Sequence, residues 1–159
     1  MEQQIKSGDY TFTLLNDDSL NDFAEVSETI DTQTRNKLFK WALAKQNWFY
    51  LYIVRHKDVV IGRVEAKVIN HSIPAFEIGI EVKSDCRNLG HGEHMINILI
   101  EYLKNNLLAR RIQAVVNVDN KPSNALFRKT NMSLEATLKQ YSVTVEHDPA
   151  DAHIYSVIF

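Results

Sequence analysis

Apolar residues along this chain recur with two different periods, and the places where one gives way to the other divide it into strands and helices. Tyr10–Leu15 alternates as a short strand, and the Asn16-Asp17-Asp18-Ser19 stretch behind it suits the cap of a helix over 19–25. Residues 32–45 read as a second helix, with Leu38, Trp41 and Ala42 on one face. Trp48–Arg55 is apolar on both faces, as a central strand is. His56-Lys57-Asp58 turns the chain into Val59–Ile69, where Arg63, Glu65 and Lys67 alternate with Val64, Ala66 and Val68 in the manner of a half-exposed strand.

Ala75–Val82 forms the next strand, and helix 91–106 stacks Ile96, Leu99, Ile100 and Leu103 on one buried stripe. Arg111–Val118 is a short buried strand, and 122–130 a helix with Pro122 in its first turn, where proline is tolerated. Asn131 follows, and asparagine can take the left-handed conformation that glycine usually supplies after a helix. Two last strands, Leu134–Val145 and His153–Phe159, are joined by a turn at His147-Asp148-Pro149. The order β-α-α-β-β-β-α-β-α-β-β predicts an α+β fold, a mixed sheet with helices on its faces. No linker or repeat interrupts it, so residues 1–159 are expected to form one domain.

Between strand 75–82 and helix 91–106 lies Arg87-Asn88-Leu89-Gly90-His91-Gly92. A turn of this kind exposes several backbone N–H groups at a helix N-terminus, where the dipole also favours anions, so it can cradle a pyrophosphate. Glycine at 90 and 92 lets the main chain approach phosphates without Cβ interference, and Asn88 is of a type that tolerates a left-handed turn. Charge sharpens this reading: a net charge of −2 provides no basic face for nucleic acid, so phosphates have to be held locally. A single cysteine, Cys86, excludes an intrachain disulfide and fits a reducing cytosol. No apolar run approaches the ~20 residues of a membrane span, and Met1-Glu2-Gln3-Gln4-Ile5 lacks the charged start and apolar core of a signal peptide. The expectation is a cytoplasmic protein with neither nucleic acid nor membrane as partner.

The loop matches the acyl-CoA-binding loop of the GNAT superfamily of N-acetyltransferases, usually Gln/Arg-x-x-Gly-x-Gly/Ala. Further on, Asn120-Lys121-Pro122-Ser123-Asn124-Ala125-Leu126-Phe127-Arg128-Lys129 resembles the superfamily's Asn-x-x-Ser/Ala helix. The Asn-x-x-Ser start, the Glu77-Ile78-Gly79 strand and the Leu134-Glu135-Ala136 segment are similar to the branch of ribosomal-protein acetyltransferases such as RimL. The resemblance spans residues 76–136. It implies a GNAT-like mixed, mostly antiparallel central sheet of about seven strands flanked by about four helices, with acetyl-CoA as cosubstrate. In that family strand 76–82 splays from strand 111–118, and the pantetheine arm bonds to the freed edge. Ile80 and Val82 therefore join Arg87, Asn88, Leu89, Gly90, His91 and Gly92 as expected CoA contacts. Asn120 is expected to bond the pantetheine amides, with helix capping as the alternative; Phe127 packs on the pantetheine or belongs to the core. No metal is expected, since His91 and His94 lack a carboxylate or cysteine partner set.

Moving an acetyl group from a thioester to an amine needs a positioned thioester, a neutral amine, and stabilisation of the developing oxyanion and thiolate. Backbone N–H groups near Gly79 to Val82 are the expected oxyanion donors. Glu77 and Glu81 share a face of their strand. Family members often carry a carboxylate near the start of this strand, so Glu77 is the expected proton acceptor, through water; the alternative is a plain solvent-facing residue. Many members protonate the thiolate with a tyrosine at the position of Phe127, which has no proton to give. Ser123, one helical turn earlier, is the expected hydrogen-bond donor to the sulfur, against a reading as a first-turn cap. A thiol with pKa ~8.5 leaves without stronger help.

The resulting reading is an acetyl-CoA-dependent N-acetyltransferase that transfers directly, within a ternary complex, to a primary amine such as the N-terminal α-amine of a ribosomal protein. Alternatives are an acetyltransferase of a small amine (polyamine or aminoglycoside type) and a non-catalytic acyl-CoA sensor, which Phe127 favours. A dinucleotide-binding oxidoreductase is disfavoured, because no acidic residue follows ~20 positions on in a βαβ unit. The expected partner is the amine substrate, with a homodimer as a further state.

Overall fold

Four consecutive residues, Leu51 to Val54, are buried, and because side chains alternate across a strand, the sheet around them needs a cover on both faces. A computed structural model describes residues 1–143 and 148–159. Among these the strands are β1 (Gln4–Ser7), β2 (Tyr10–Leu14), β3 (Phe49–His56), β4 (Val59–Asn70), β5 (Ala75–Val82), β6 (Arg111–Asn117), β7 (Ser133–Val143) and β8 (Pro149–Ile158). They form one sheet in the order β1-β2-β3-β4-β5-β6-β8-β7. Every pair is antiparallel except β5 with β6. The helices are α1 (Leu20–Glu25), α2 (Thr32–Ala44), α3 (His91–Leu107) and α4 (Lys121–Phe127), with single 3-10 turns at Asp17–Ser19 and Ser84–Cys86.

Tyr52 and Val54 face a core shared by β4, β5, β6 and α3, where Val64, Phe76, Ile78 and Ile112 meet Met95, Ile96, Leu99, Ile100 and Leu103. Leu51 and Ile53 face the other way, onto Phe23 and Val26 at α1 and Phe39 and Ala42 of α2. No residue of β5, β6, β7 or β8 contributes to this second cluster. On that side β4 and β5 instead carry Arg63, Glu65, Lys67, Glu77 and Glu81, all at least partly accessible. Half of one sheet face is thus apolar and covered, and the other half is charged and open.

The expected order of elements is observed, with several differences. An eighth strand, β1, precedes the seven expected. Only Ile5 of its four residues is buried, so no period marks it, and it exists because β2 offers a pairing edge from Tyr10 to Thr13. In α2 the buried residues are Phe39 and Ala42; Trp41 stays 40% exposed, its ring against Trp48 and Phe49 at 5.9 and 4.9 Å. Helix α4 stops at Phe127, and Asn131 is not at positive φ. Strand β8 begins at Pro149 rather than His153; proline at the first strand position does no harm to the ladder. His147 and the end of the expected strand to Val145 lie outside the described residues. The turn at Lys57-Asp58 has both residues left-handed, φ 48 and 67, as a tight two-residue hairpin requires. Among the described residues no helix is long and apolar enough to cross a membrane.

Candidate active site

Strands β5 and β6 pair over only three positions, Ala75–Glu77 against Arg111–Gln113. β5 continues to Val82 on the edge of β4, and β6 continues to Asn117 on the edge of β8. Beyond Glu77 and Gln113 the two central strands therefore part, leaving facing backbone edges in the middle of the sheet. An extended ligand can add to such an edge as a strand does. The open stretch of β5 holds Gly79, Ile80 and Val82.

That stretch runs directly into the glycine loop. Asn88 and Gly90 are both left-handed, at φ 61 and 83, and α3 starts at His91 with Gly90 as its N-cap. A Cβ on Gly90 would meet nothing within 4 Å, so glycine is needed there for its backbone conformation and not for space. Gly92 has a further role. It lies inside α3, and a Cβ there would come within 3.2 Å of both Leu126 methyls and 3.6 Å of Val82 Cγ2. Its role in the protein alone is close packing of α3 on α4. Arg87 donates from Nε to Val82 O at 2.9 Å, while Leu89 is exposed at the tip. The His91 ring is engaged by the Tyr10 hydroxyl at 2.9 Å and lies 4.8 Å from the His56 ring. Burial, with the neighbouring imidazoles, holds its pKa below the usual histidine value.

Across the gap, Asn120 accepts from Ser123 N at 3.2 Å, so its side chain caps α4. The Ser123 hydroxyl is half-buried and makes no hydrogen bond to a described residue; the capping role belongs to Asn120. Phe127 is 3% exposed and stacked on Tyr155 at 5.7 Å, which puts it in the core. Sequence reading missed Asn124 between them. Its Nδ2 donates to the carbonyls of Asn117, Val118 and Asn120 at 3.0, 3.3 and 2.8 Å, and its Oδ1 accepts from the buried Tyr155 hydroxyl at 2.9 Å. One amide thus fastens the end of β6 to the start of α4. A polar residue three before Phe127, on the buried face of the helix, was the available signal.

The carboxylates on the open face are unequal. Glu81 accepts from Arg63 Nε and Nη2 at 3.1 and 2.8 Å. Glu77 accepts from Gln113 Nε2 at 3.1 Å, with Lys67 Nζ at 3.9 Å. Glu65, not singled out in sequence, stands opposite Gly79 in the β4–β5 register and lies over it, for a Cβ on Gly79 would be 2.5 Å from Glu65 Oε1. Burial pushes the Glu65 carboxyl above the usual carboxylate range; Arg63 opposes this, Glu81 and Glu77 add to it, and Lys67 opposes it weakly. Arg63, Glu65, Gly79, Ile80 and Glu81 line a recess of about 120 Å³, and Arg63 Nη1 is buried without a hydrogen-bond partner. Burial and an Asp85 contact at 3.3 Å push the Cys86 thiol up, against a nucleophilic role. Among the described residues no three His, Cys, Asp or Glu side chains are grouped to hold a metal.

A family model for the acetyltransferase (GNAT) family matches residues 13–132. The chain belongs to the GNAT acetyltransferase family. A curated relative of this GNAT chain, the uncharacterized N-acetyltransferase YoaA of Bacillus subtilis (strain 168), is 33% identical over 104 residues, 65% of this chain and 58% of that protein. The match thus spans little more than half the length of the relative. Among solved structures, the RimL ribosomal L7/L12 alpha-N-protein acetyltransferase superposes with a TM-score of 0.87 at 17% identity, covering 100% of this chain and 96% of that one. The microcin C7 self-immunity acetyltransferase MccE, in complex with acetyl-CoA and AMP, reaches 0.86 at 17% identity, covering 100% and 98%. At these identities the likeness establishes that the GNAT fold is shared.

Proposed function

We propose that this protein is an acetyl-CoA-dependent N-acetyltransferase of a primary α-amine, such as a protein N-terminus, in the manner of the RimL branch. The observation that carries the reading is the parting of β5 from β6 directly ahead of a loop with Asn88 and Gly90 left-handed. This arrangement fits acyl-CoA: the edge from Gly79 to Val82 would take the pantetheine amides, and the backbone of residues 87–92 at the start of α3 the phosphates. Acetyl-CoA supplies the activated acyl group as a thioester. The chain itself holds the acceptor, removes its proton, and offers the Ser123 hydroxyl to the departing sulfur. The second RimL-like feature is that hydroxyl, left uncommitted by the Asn120 cap.

The open face also speaks to the acceptor. Its carboxylates attract an ammonium, yet Glu81 is already paired with Arg63 and Glu77 lies near Lys67, which suits a singly charged amine better than a polyamine. Calorimetry and a thiol-release screen test the reading together. Wild type should bind acetyl-CoA and Gly90→Val should not, and peptides with a free N-terminus should be acetylated faster than blocked peptides carrying only lysine. At neutral pH an α-amine with pKa near ~8 is partly neutral and a lysine near ~10.4 is not. Wild-type protein that binds no acetyl-CoA would sink the proposal, and faster lysine or spermidine turnover would move it to the small-amine class. Binding with no turnover of any amine would leave the acyl-CoA sensor.

A further inference from the structure

The open face of the sheet holds a half-buried carboxylate that neither sequence motif contains. Glu65 projects from β4 over the bare Cα of Gly79, and Gly79 is the second residue past the last β5–β6 pair. The carboxylate therefore hangs beside the place where the sheet opens, on the sheet face opposite α3, one pleat beyond the Arg63 guanidinium that lies 5.4 Å over the Phe23 ring of α1. Glu77 sits at the last closed pair and is bonded to Gln113. Glu81 is held by Arg63. Glu65 alone of the three accepts no hydrogen bond from a described residue while lining the recess. The charged groups around it are Arg63 and Lys67 on its own strand and Glu77 and Glu81 on the next.

We propose that Glu65 takes the proton from the acceptor amine, whose ammonium sits in the recess beside Gly79 before transfer. The assignment rests on the N-acetyltransferase reading and names its base. A half-buried carboxylate with no hydrogen-bond donor beside it favours a cationic donor, and a primary ammonium is the complement in both charge and donors. The ammonium gives one proton to a Glu65 oxygen. The nitrogen lone pair so released forms the bond to the acyl carbon, and the carbon–sulfur bond breaks with its electron pair passing to sulfur. The second proton shed by nitrogen ends on that sulfur, and Glu65 returns its own to solvent.

The pH dependence distinguishes this from simple attack by free amine. With Glu65 ionised and the acceptor arriving as ammonium, kcat/KM is level between the Glu65 midpoint and the amine pKa near ~8. Without that base only neutral amine reacts, and the rate climbs with pH up to the amine pKa. For a serine-led peptide amide, Glu65→Gln should lower kcat/KM by about 100-fold near pH 7, the range of general-base assistance, and turn the level region into a slope. Glu65→Asp should keep the level region at reduced height.

A second readout needs no turnover. Burial raises the folded-state pKa of Glu65 above its unfolded value. Such a group supports the fold below its unfolded pKa, and that support is lost as pH rises through the folded one. Glu65→Gln should therefore melt above wild type near pH ~7, with the gain vanishing below about pH 4, under the ordinary glutamate pKa. Identical pH profiles for wild type and Glu65→Gln, no rise in melting temperature, or loss of the level region in Glu77→Gln instead would each overturn the assignment. Wild-type protein that binds no acetyl-CoA in calorimetry overturns the acetyltransferase reading and this assignment together; binding and transfer with an unmoved Glu65→Gln profile overturn the assignment alone.

Discussion

Ser123 and Phe127 lie one turn apart on α4 and meet different surroundings. The hydroxyl of Ser123 is half-buried and uncommitted, while Phe127 is stacked on Tyr155 inside the core. If the hydroxyl steadies the departing sulfur, Ser123→Ala should lower kcat by ~10- to 100-fold, modest as suits hydrogen-bond help to a good leaving group, with acetyl-CoA affinity in calorimetry little moved. Phe127→Tyr would place a second phenol beside the buried Tyr155, where an unpaired hydroxyl costs about 1–3 kcal/mol. It should lower the melting temperature and leave the rate no higher; an inactive wild type rescued by that change would reverse the assignment. The sequence makes Ser123 legible because a motif and a helical period both reach it. It does not make Glu65 legible: Val64 and Ala66 say only that Glu65 faces away from one core, and the bare Gly79 beneath it belongs to the next strand.

At the level of elements, the unit running from β5 through the loop into α3 is the best-read part of the chain. Each piece carries a local signal: apolar residues for the strand, glycine and asparagine for the left-handed turn, and a stripe from Ile96 to Leu103 for the helix. The two glycines nevertheless do separate work, so two substitutions should fail differently. Gly90→Val strains a backbone at φ 83 in open space, costing about 1–2 kcal/mol. It should abolish acetyl-CoA binding while lowering the melting temperature only modestly. Gly92→Val presses on Leu126 and Val82, so it should lower the melting temperature and shift α4 as well. Equal losses of stability in the two variants would refute this division. Strand β1 and the early start of β8 are invisible to periodicity for another reason: both are recruited by a neighbour's edge, β2 for Gln4–Ser7 and the end of β7 for Pro149, and pairing partners are not written in the segment itself.

Across the whole molecule the decisive asymmetry is between the two sheet faces. One is filled by α3 and α4 and is apolar but for the bonded amide of Asn124; the other is filled by α1 and α2 only over β2 to β4. The alternation of Arg63, Glu65 and Lys67 with apolar residues announces an open face. Only the fold shows that this face adjoins the parting strands, so that a thioester approached from one side and an amine from the other can meet through the sheet. If the acceptor binds on this face, beside Glu65, Glu77 and Glu81, raising salt should raise KM for a multiply cationic peptide more than for a singly charged one. Titrating KM for both peptides against ionic strength checks this, and equal responses would count against the open face as the acceptor site.

The three pairs that join β5 to β6 also make the sheet a hinged object, its eight strands divided into a block of five and a block of three with a short seam between them. α3 and α4 bridge the seam on one side, but past Glu77 the edge of β5 that faces β6 has no partner strand. An acyl-CoA lying there would act as a missing length of strand, so binding is in part the completion of the fold. At a hundredfold excess over Kd such a ligand stabilises by about 2.7 kcal/mol. Amide exchange should slow most at residues 79–82 and 115–117, on both sides of the seam, before any acceptor is present. An acetyl-CoA bound there would leave as CoA without its acyl group and with the same pantetheine arm, so product as well as substrate would keep the two blocks sewn together, and the slow event in turnover is expected to be the unpicking of that seam.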